Sequence, residues 1–201
     1  MTTLDDLFAR NRAWSEGLRK EDPEFFERLC GIQHPQFLWI GCADSRVPAN
    51  EIVGLPPGEL FVHRNVANLV VAGDPNCFGV VQYAVEVLNV RQLIVCGHYG
   101  CGGVRAVIET MPLGRLAHVD RWLTPLRHVA AAHGAELAAI ADIDARADRL
   151  CELNVLEQAR RLGTSDVVKN AASRGVEVQI HALIYDLRDG LLQNLQLPSI
   201  R

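Results

Sequence analysis

Cys42, Asp44 and Arg46 alternate in the segment Gly41-Cys42-Ala43-Asp44-Ser45-Arg46, and a second segment, Cys96-Gly97-His98-Tyr99-Gly100-Cys101-Gly102-Gly103, sets a histidine and a cysteine three residues apart. Two thiolates and one imidazole are soft or borderline ligands that suit Zn²⁺. A structural zinc site is usually closed by a fourth Cys or His, whereas three protein ligands leave one position open for water. Zinc so held lowers the pKa of bound water toward about 7 and keeps the hydroxide beside an electrophile. Asp44 and Arg46 are close enough in sequence for a bidentate carboxylate–guanidinium pair. The carboxylate can then orient the zinc-bound hydroxide, or swing in and occupy the open position itself; the first arrangement is active and the second closed. Glycines around Cys101 permit a tight turn, and the helix after them aims its first amides toward the metal-bound oxygen, which favours an anionic product.

The elements that must bring these residues together are legible from periodicity. Phe37–Cys42, Leu60–Arg64 and Gln92–Cys96 are short apolar runs rich in strand formers, and Glu177–Leu187 is a fourth. Asp189-Gly190 is a turn that invites a hairpin with Leu191–Leu197. Asn76–Val90 and Val104–Thr110 carry helical spacing, and the Ala- and Leu-rich stretch from Ala117 to Arg174 reads as several helices with Asp120, Asp142 and Thr164 as caps. Leu4–Arg19 is helical too, followed by Asp22 as N-cap and Pro23 at N1 of a helix over Glu24–Cys30. Strands alternating with helices predict an α/β fold: a mostly parallel central sheet of four to five strands flanked by helices, with one antiparallel edge strand and an N-terminal helical arm. The whole is read as one domain, the arm over residues 1–31 and the α/β core over 36–197. In such sheets ligands bind beyond the carboxyl ends of the strands, where Cys42 and His98 fall.

Composition narrows the function classes. The 201 residues are 49% hydrophobic, enough for one well-buried domain, and carry a net charge of −4 with no block of like charge, which argues against nucleic acid as partner. No apolar run approaches the roughly 20 residues of a membrane helix, and the N-terminus lacks the apolar core of a signal peptide, so a cytoplasmic protein is expected. Six cysteines without a secretion signal read as thiols or metal ligands. Cys30, Cys77, Cys96 and Cys151 are expected to be packing residues. The remaining histidines, His34, His63, His118, His128, His133 and His181, have no companion ligands at metal spacing and are read as surface or hydrogen-bonded residues.

The spacing Cys-x-Asp-x-Arg followed by His-x-x-Cys resembles the zinc site of β-class carbonic anhydrases. The flanks Leu38-Trp39-Ile40-Gly41-Cys42, Val62-His63-Arg64-Asn65-Val66-Ala67-Asn68 and Gly97–Gly103 resemble bacterial members of that class, and the likeness runs from about Leu7 to Leu197. The resemblance implies reversible hydration of carbon dioxide to bicarbonate, with Cys42, His98 and Cys101 on zinc and Asp44 and Arg46 as the catalytic dyad. It implies a substrate pocket lined by Gln33, Phe61 and Tyr83 across a dimer interface, with dimers pairing into tetramers. It also implies a second, non-catalytic bicarbonate site built from Trp39, Arg64 and Tyr185, and a switch in which Asp44 closes onto zinc at lower pH. Alternative readings are hydrolysis of carbonyl sulfide or carbon disulfide at the same centre, or a non-catalytic zinc protein that senses bicarbonate. Pocket width and access separate the first from carbon dioxide hydration, and retention of both Asp44 and Arg46 argues against the second.

Overall fold

The computed structural model describes residues 2–31, 33–111 and 114–197. It divides into two compact units, Met1–His34 and Pro35–Arg201. In the first unit, helix α1 (Leu4–Glu21) opens on a capping box: Thr3 Oγ1 accepts from the Asp6 amide at 3.2 Å, and the Asp6 carboxylate accepts from the Thr3 amide at 2.7 Å. Helix α2 is shorter than the sequence predicts, Phe25–Leu29, with Glu24 rather than Asp22 at its N-cap. Asp22 instead accepts from the Glu24 amide and pairs with Arg28, so its carboxylate closes a turn and an ion pair in place of a cap. Trp14 and Phe25 both meet Phe26 edge-on, and Cys30, expected to pack, is exposed.

The second unit is built on a five-stranded sheet in the order β2-β1-β3-β4-β5. Its strands are β1 (Phe37–Cys42), β2 (Leu60–Asn65), β3 (Gln92–His98), β4 (Gln179–Tyr185) and β5 (Leu192–Leu195). All pairings are parallel except β4 with β5, the predicted hairpin. Strand β3 runs two residues further than its apolar pattern suggests, making His98 its last residue and the register partner of Tyr185. Side-chain alternation sends Leu38, Ile40 and Cys42 of β1 into the larger apolar cluster, with Leu93, Val95 and the helices, and Trp39 into a smaller one with Leu60, Ile94 and Cys96.

Helices cover the sheet: α3 (Ala49–Val53), α4 (Pro75–Gln82), α5 (Gly102–Ile108), α6 (Ala117–Trp122), α7 (Thr124–Ala132), α8 (Gly134–Ala138), α9 (Ile143–Gly163) and α10 (Asp166–Ser173). The helical spacing over Asn76–Val90 resolves into α4, capped by Asp74 with Pro75 in its first turn, and a π turn over Tyr83–Val87. Asp142 caps α9 as expected, accepting from the Ala145 amide at 2.7 Å. Asp120 lies inside α6, and Thr164 ends α9 while Ser165 caps α10, because the serine hydroxyl rather than the threonine reaches the Val168 amide.

Helix α9 carries an ion-pair cluster with a measurable pH signature. Arg160, and after it Arg161, hold the Glu157 carboxyl down at about 2. A carboxylate so depressed stabilises the fold fully above its ordinary value and loses that contribution as pH falls through about 2. The expected result is that Glu157→Gln lowers the melting temperature by about 2–4 °C at pH 6, with the difference shrinking as pH falls toward 2. A constant difference across that range in scanning calorimetry would refute it.

Candidate metal centre

The parallel pairing of β1 with β3 aligns Cys42 and His98 at the carboxyl edge of the sheet, and the turn after β3 returns Cys101 to the same place as the N-cap of α5. Cys42, His98 and Cys101 are 4%, 1% and 3% exposed. Their ligand atoms all lie within 4.8 Å of one another, with the two sulfurs 3.9 Å apart. His98 Nδ1 sits 2.9 Å from the carbonyl oxygen of Tyr99, to which it donates, so the unprotonated nitrogen is Nε2. That nitrogen is buried and, among the described residues, has no hydrogen-bond partner. A buried lone pair facing two sulfurs is what a bound divalent cation would satisfy, and the donor set suits zinc.

Charge in the centre is shared. The two sulfurs lie within hydrogen-bond distance, and this contact draws the Cys42 thiol below its ordinary value, while the same contact and burial push Cys101 up. A metal binds such sulfurs as thiolates, so a cation there would displace their protons. The other buried thiols are inert by contrast: burial pushes Cys77 and Cys151 up to about 12, and Cys96 higher still.

Asp44 lies just beyond the cluster, its Oδ2 3.7 Å from His98 Nε2. Arg46 donates to it from its amide at 3.0 Å, from Nε at 2.9 Å and from Nη2 at 2.7 Å. Those bonds, the guanidinium ones foremost, hold the Asp44 carboxyl far below the usual carboxylate range. Arg46 Nη2 also reaches the Gly100 carbonyl at 3.2 Å, joining the dyad to the turn between His98 and Cys101.

Gly97 and Gly103 flank these ligands for steric reasons. A Cβ on Gly97 would fall 2.5 Å from Val155 Cγ2, and one on Gly103 would fall 3.1 Å from Val66 Cγ1.

The remaining predicted residues are dispersed. Phe61 and Tyr83 stack at 5.9 Å, with Tyr83 46% exposed, and Gln33 is an exposed residue of the first unit. Trp39 and Tyr185 belong to the smaller apolar cluster, the Trp39 indole filling the space over Gly41. Arg64 donates to the carbonyl oxygens of Cys42, at 2.8 Å, and of Asp44. Of the other histidines, His63 is buried, with Nε2 3.2 Å from Asn65 Nδ2. The sequence reading missed Tyr99, whose hydroxyl donates to Glu152 at 2.8 Å, and two buried amides on α9, Asn154 and Gln158.

Fold and centre together describe an α/β zinc enzyme. The carbonic anhydrase family profile matches residues 37–192. A carbonic anhydrase of Emericella nidulans is 45% identical over 200 residues, 98% of this chain and 86% of the relative. One structure from a study of two tetrameric β-carbonic anhydrases of Sordaria macrospora is similar with a TM-score of 0.91 at 37% identity, covering 97% of this chain and 98% of that one. The Coccomyxa β-carbonic anhydrase in complex with acetazolamide is similar with a TM-score of 0.88 at 34% identity, over 97% of this chain and 87% of its own. The chain belongs to the β-class carbonic anhydrases, zinc-dependent lyases that interconvert carbon dioxide and bicarbonate. Among the described residues, no helix is long and apolar enough to cross a membrane.

Proposed function

We propose that Cys42, His98 and Cys101 hold the zinc and that Asp44, held by Arg46, takes the hydrogen bond of the reacting water. The observation that carries this is the buried Nε2 of His98, without a hydrogen-bond partner among the described residues, beside two sulfurs 3.9 Å apart. Zinc supplies the Lewis acidity that lets water lose a proton near neutral pH. Asp44 can only accept, because Arg46 keeps it ionised, so it fixes which way the attacking oxygen points. Water and carbon dioxide give bicarbonate and one proton, and the proton passes to buffer. Stopped-flow hydration by zinc-loaded protein, with carbonyl sulfide as the competing substrate, tests the reading; no hydration above about pH 8 would remove it.

Arg46→Ala is expected to lower kcat about 10- to 100-fold with zinc content unchanged, because the variant loses charge-assisted bonds worth about 1.5–3 kcal/mol and frees Asp44 to take the open coordination position. Wild-type kcat in this variant would dismiss the dyad.

The same reading extends to assembly and regulation. Phe61 and Tyr83 form an aromatic wall that Gln33 of a partner copy completes, and sedimentation as a dimer or tetramer is the expected outcome. Arg64 holds the carbonyls of Cys42 and Asp44, so a bicarbonate ion bound at Trp39, Arg64 and Tyr185 would compete with the bonds that fix the Asp44 backbone. Asp44, ionised throughout, then becomes a ligand that closes the centre. A steep, cooperative loss of activity below about neutral pH is the signature, and a flat profile would exclude the switch.

A further inference from the structure

The turn Val66–Asn68 lies beside the metal centre in a conformation its residues do not favour. Ala67 and Asn68 both have left-handed backbones, φ 65° and 48°, and both are buried. Neither is glycine, so the surroundings must impose the conformation. Side chains do so at four nearby positions. Trp122 Nε1 donates to the Val66 carbonyl at 2.8 Å, and Asn154 Nδ2 to the Ala67 carbonyl at 2.9 Å. Asn65 Oδ1 accepts from the Leu69 amide at 2.7 Å, and Gln158 Oε1 from the Val70 amide at 2.9 Å. Gln158 Nε2 donates in turn to Asn154 Oδ1 at 2.9 Å, and these two amides, 1% and 0% exposed, sit one turn apart on the buried face of α9.

The position of the turn gives this scaffold its purpose. A Cβ on Gly97 would meet Asn68 Oδ1 at 3.4 Å and one on Gly103 would meet Ala67 Cβ at 3.3 Å, so the turn is wedged between the strand end that carries His98 and the helix that follows Cys101.

We infer that Asn154 and Gln158 are positioning residues for the metal centre: they lock the Ala67 backbone in its left-handed conformation so that the turn, wedged between Gly97 and Gly103, holds His98 and Cys101 in place to bind zinc. This rests on His98 and Cys101 being metal ligands. The amides touch neither substrate nor metal and act through the turn. Burying two amides on a helix otherwise packed by Leu150, Val155 and Leu162 is a costly way to fill a core, and their bonds run to this turn.

The test uses full-length protein carrying Co²⁺ in place of zinc, whose sulfur-to-cobalt absorption reports the thiolate directly. Asn154→Asp replaces the donor to Ala67 by a carboxylate oxygen, and Gln158→Glu, the milder change, keeps the acceptor for Val70 and removes the donor to Asn154. Both are expected to shift the near-ultraviolet charge-transfer band, lower affinity for the metal about 10- to 100-fold in chelator competition, and reduce kcat with KM unchanged within about twofold. Ala67→Gly, which adopts the left-handed region freely, is expected to restore part of the affinity in the Asn154→Asp background. Leu150→Ala, a packing loss on the same helix, should lower stability and leave the band unmoved. A band and affinity unchanged in whichever amide variant folds, or no rescue by glycine, would overturn the inference. Absence of the band from the wild-type protein would overturn the ligand assignment beneath it.

Discussion

Replacing His98 by alanine is expected to lower carbon dioxide hydration more than about a thousandfold and to abolish stabilisation by zinc. With the metal in place, the pKa of bound water falls from about 15.7 toward about 7, so losing the metal removes nearly all hydroxide available at neutral pH. The imidazole is placed for the ligand role proposed for it, because its Nδ1 is already committed to the Tyr99 carbonyl and its Nε2 has no partner among the described residues. Added zinc should therefore raise the melting temperature of the wild-type apoprotein, by the equivalent of about 4 kcal/mol at a thousandfold excess over Kd, and leave the variant's unchanged. Apo forms of the two should unfold within about 1 kcal/mol of each other, since the variant loses an unsatisfied buried nitrogen along with the ring's packing. An alanine variant that retains stoichiometric zinc by emission spectroscopy and full turnover would remove His98 from the centre.

Gly97→Val is expected to be the most damaging single change to stability near the site. The first added carbon would already stand 2.5 Å from Val155 Cγ2 and 3.2 Å from Ile184 Cδ1, and both neighbours are fully buried. Overpacking of this kind costs typically 1–3 kcal/mol, and two further methyls place valine at or above about 3 kcal/mol. A fall of about 6–12 °C in melting temperature follows for a chain of this length, with a lower urea midpoint and an unchanged m-value. Relief of the clash must push β3 away from α9, and His98 moves with it, so metal affinity should fall in the same variant. Stability within about 0.5 kcal/mol of wild type would mean that the sheet gives way more easily than close packing allows.

Much of this architecture was readable before any coordinates. Phe37–Cys42 and Gln92–Cys96 are runs whose apolar, β-branched and aromatic residues have little choice but a buried strand, and their ends deliver Cys42 and His98 together. The hairpin at Asp189-Gly190 was equally plain from its turn residues. Boundaries were weaker where local chemistry allows two solutions. Asp22-Pro23 has the composition of a helix start, yet Arg28 captures the carboxylate and the helix begins later. Thr164 and Ser165 are both good caps, and only the backbone decides between them. The spacing from Asn76 to Val90 is helical throughout, and nothing in it announces the switch to a π turn at Tyr83.

The site divides in the same way. Cys, His and Asp at ligand spacing advertise themselves because few other roles explain them. Asn154 and Gln158 do not, since an amide on a helix is ordinarily a solvated residue. One signal was available: they stand four apart within the stripe that also carries Leu150 and Leu162, where an apolar residue belongs. Arg64 was expected to meet an anion, and its bonds to two backbone carbonyls could not be read from a strand edge.

The two sulfurs lie 59 residues apart in sequence. A cation gripping both is therefore a reversible clasp around the segment that contains α3, β2, α4 and the whole of β3. By chain entropy a permanent crosslink over a loop of that size is worth about 4 kcal/mol. The enzyme's durability is thus tied to its supply of metal: chelator should open the clasp and expose the enclosed segment to proteases well before the chain melts.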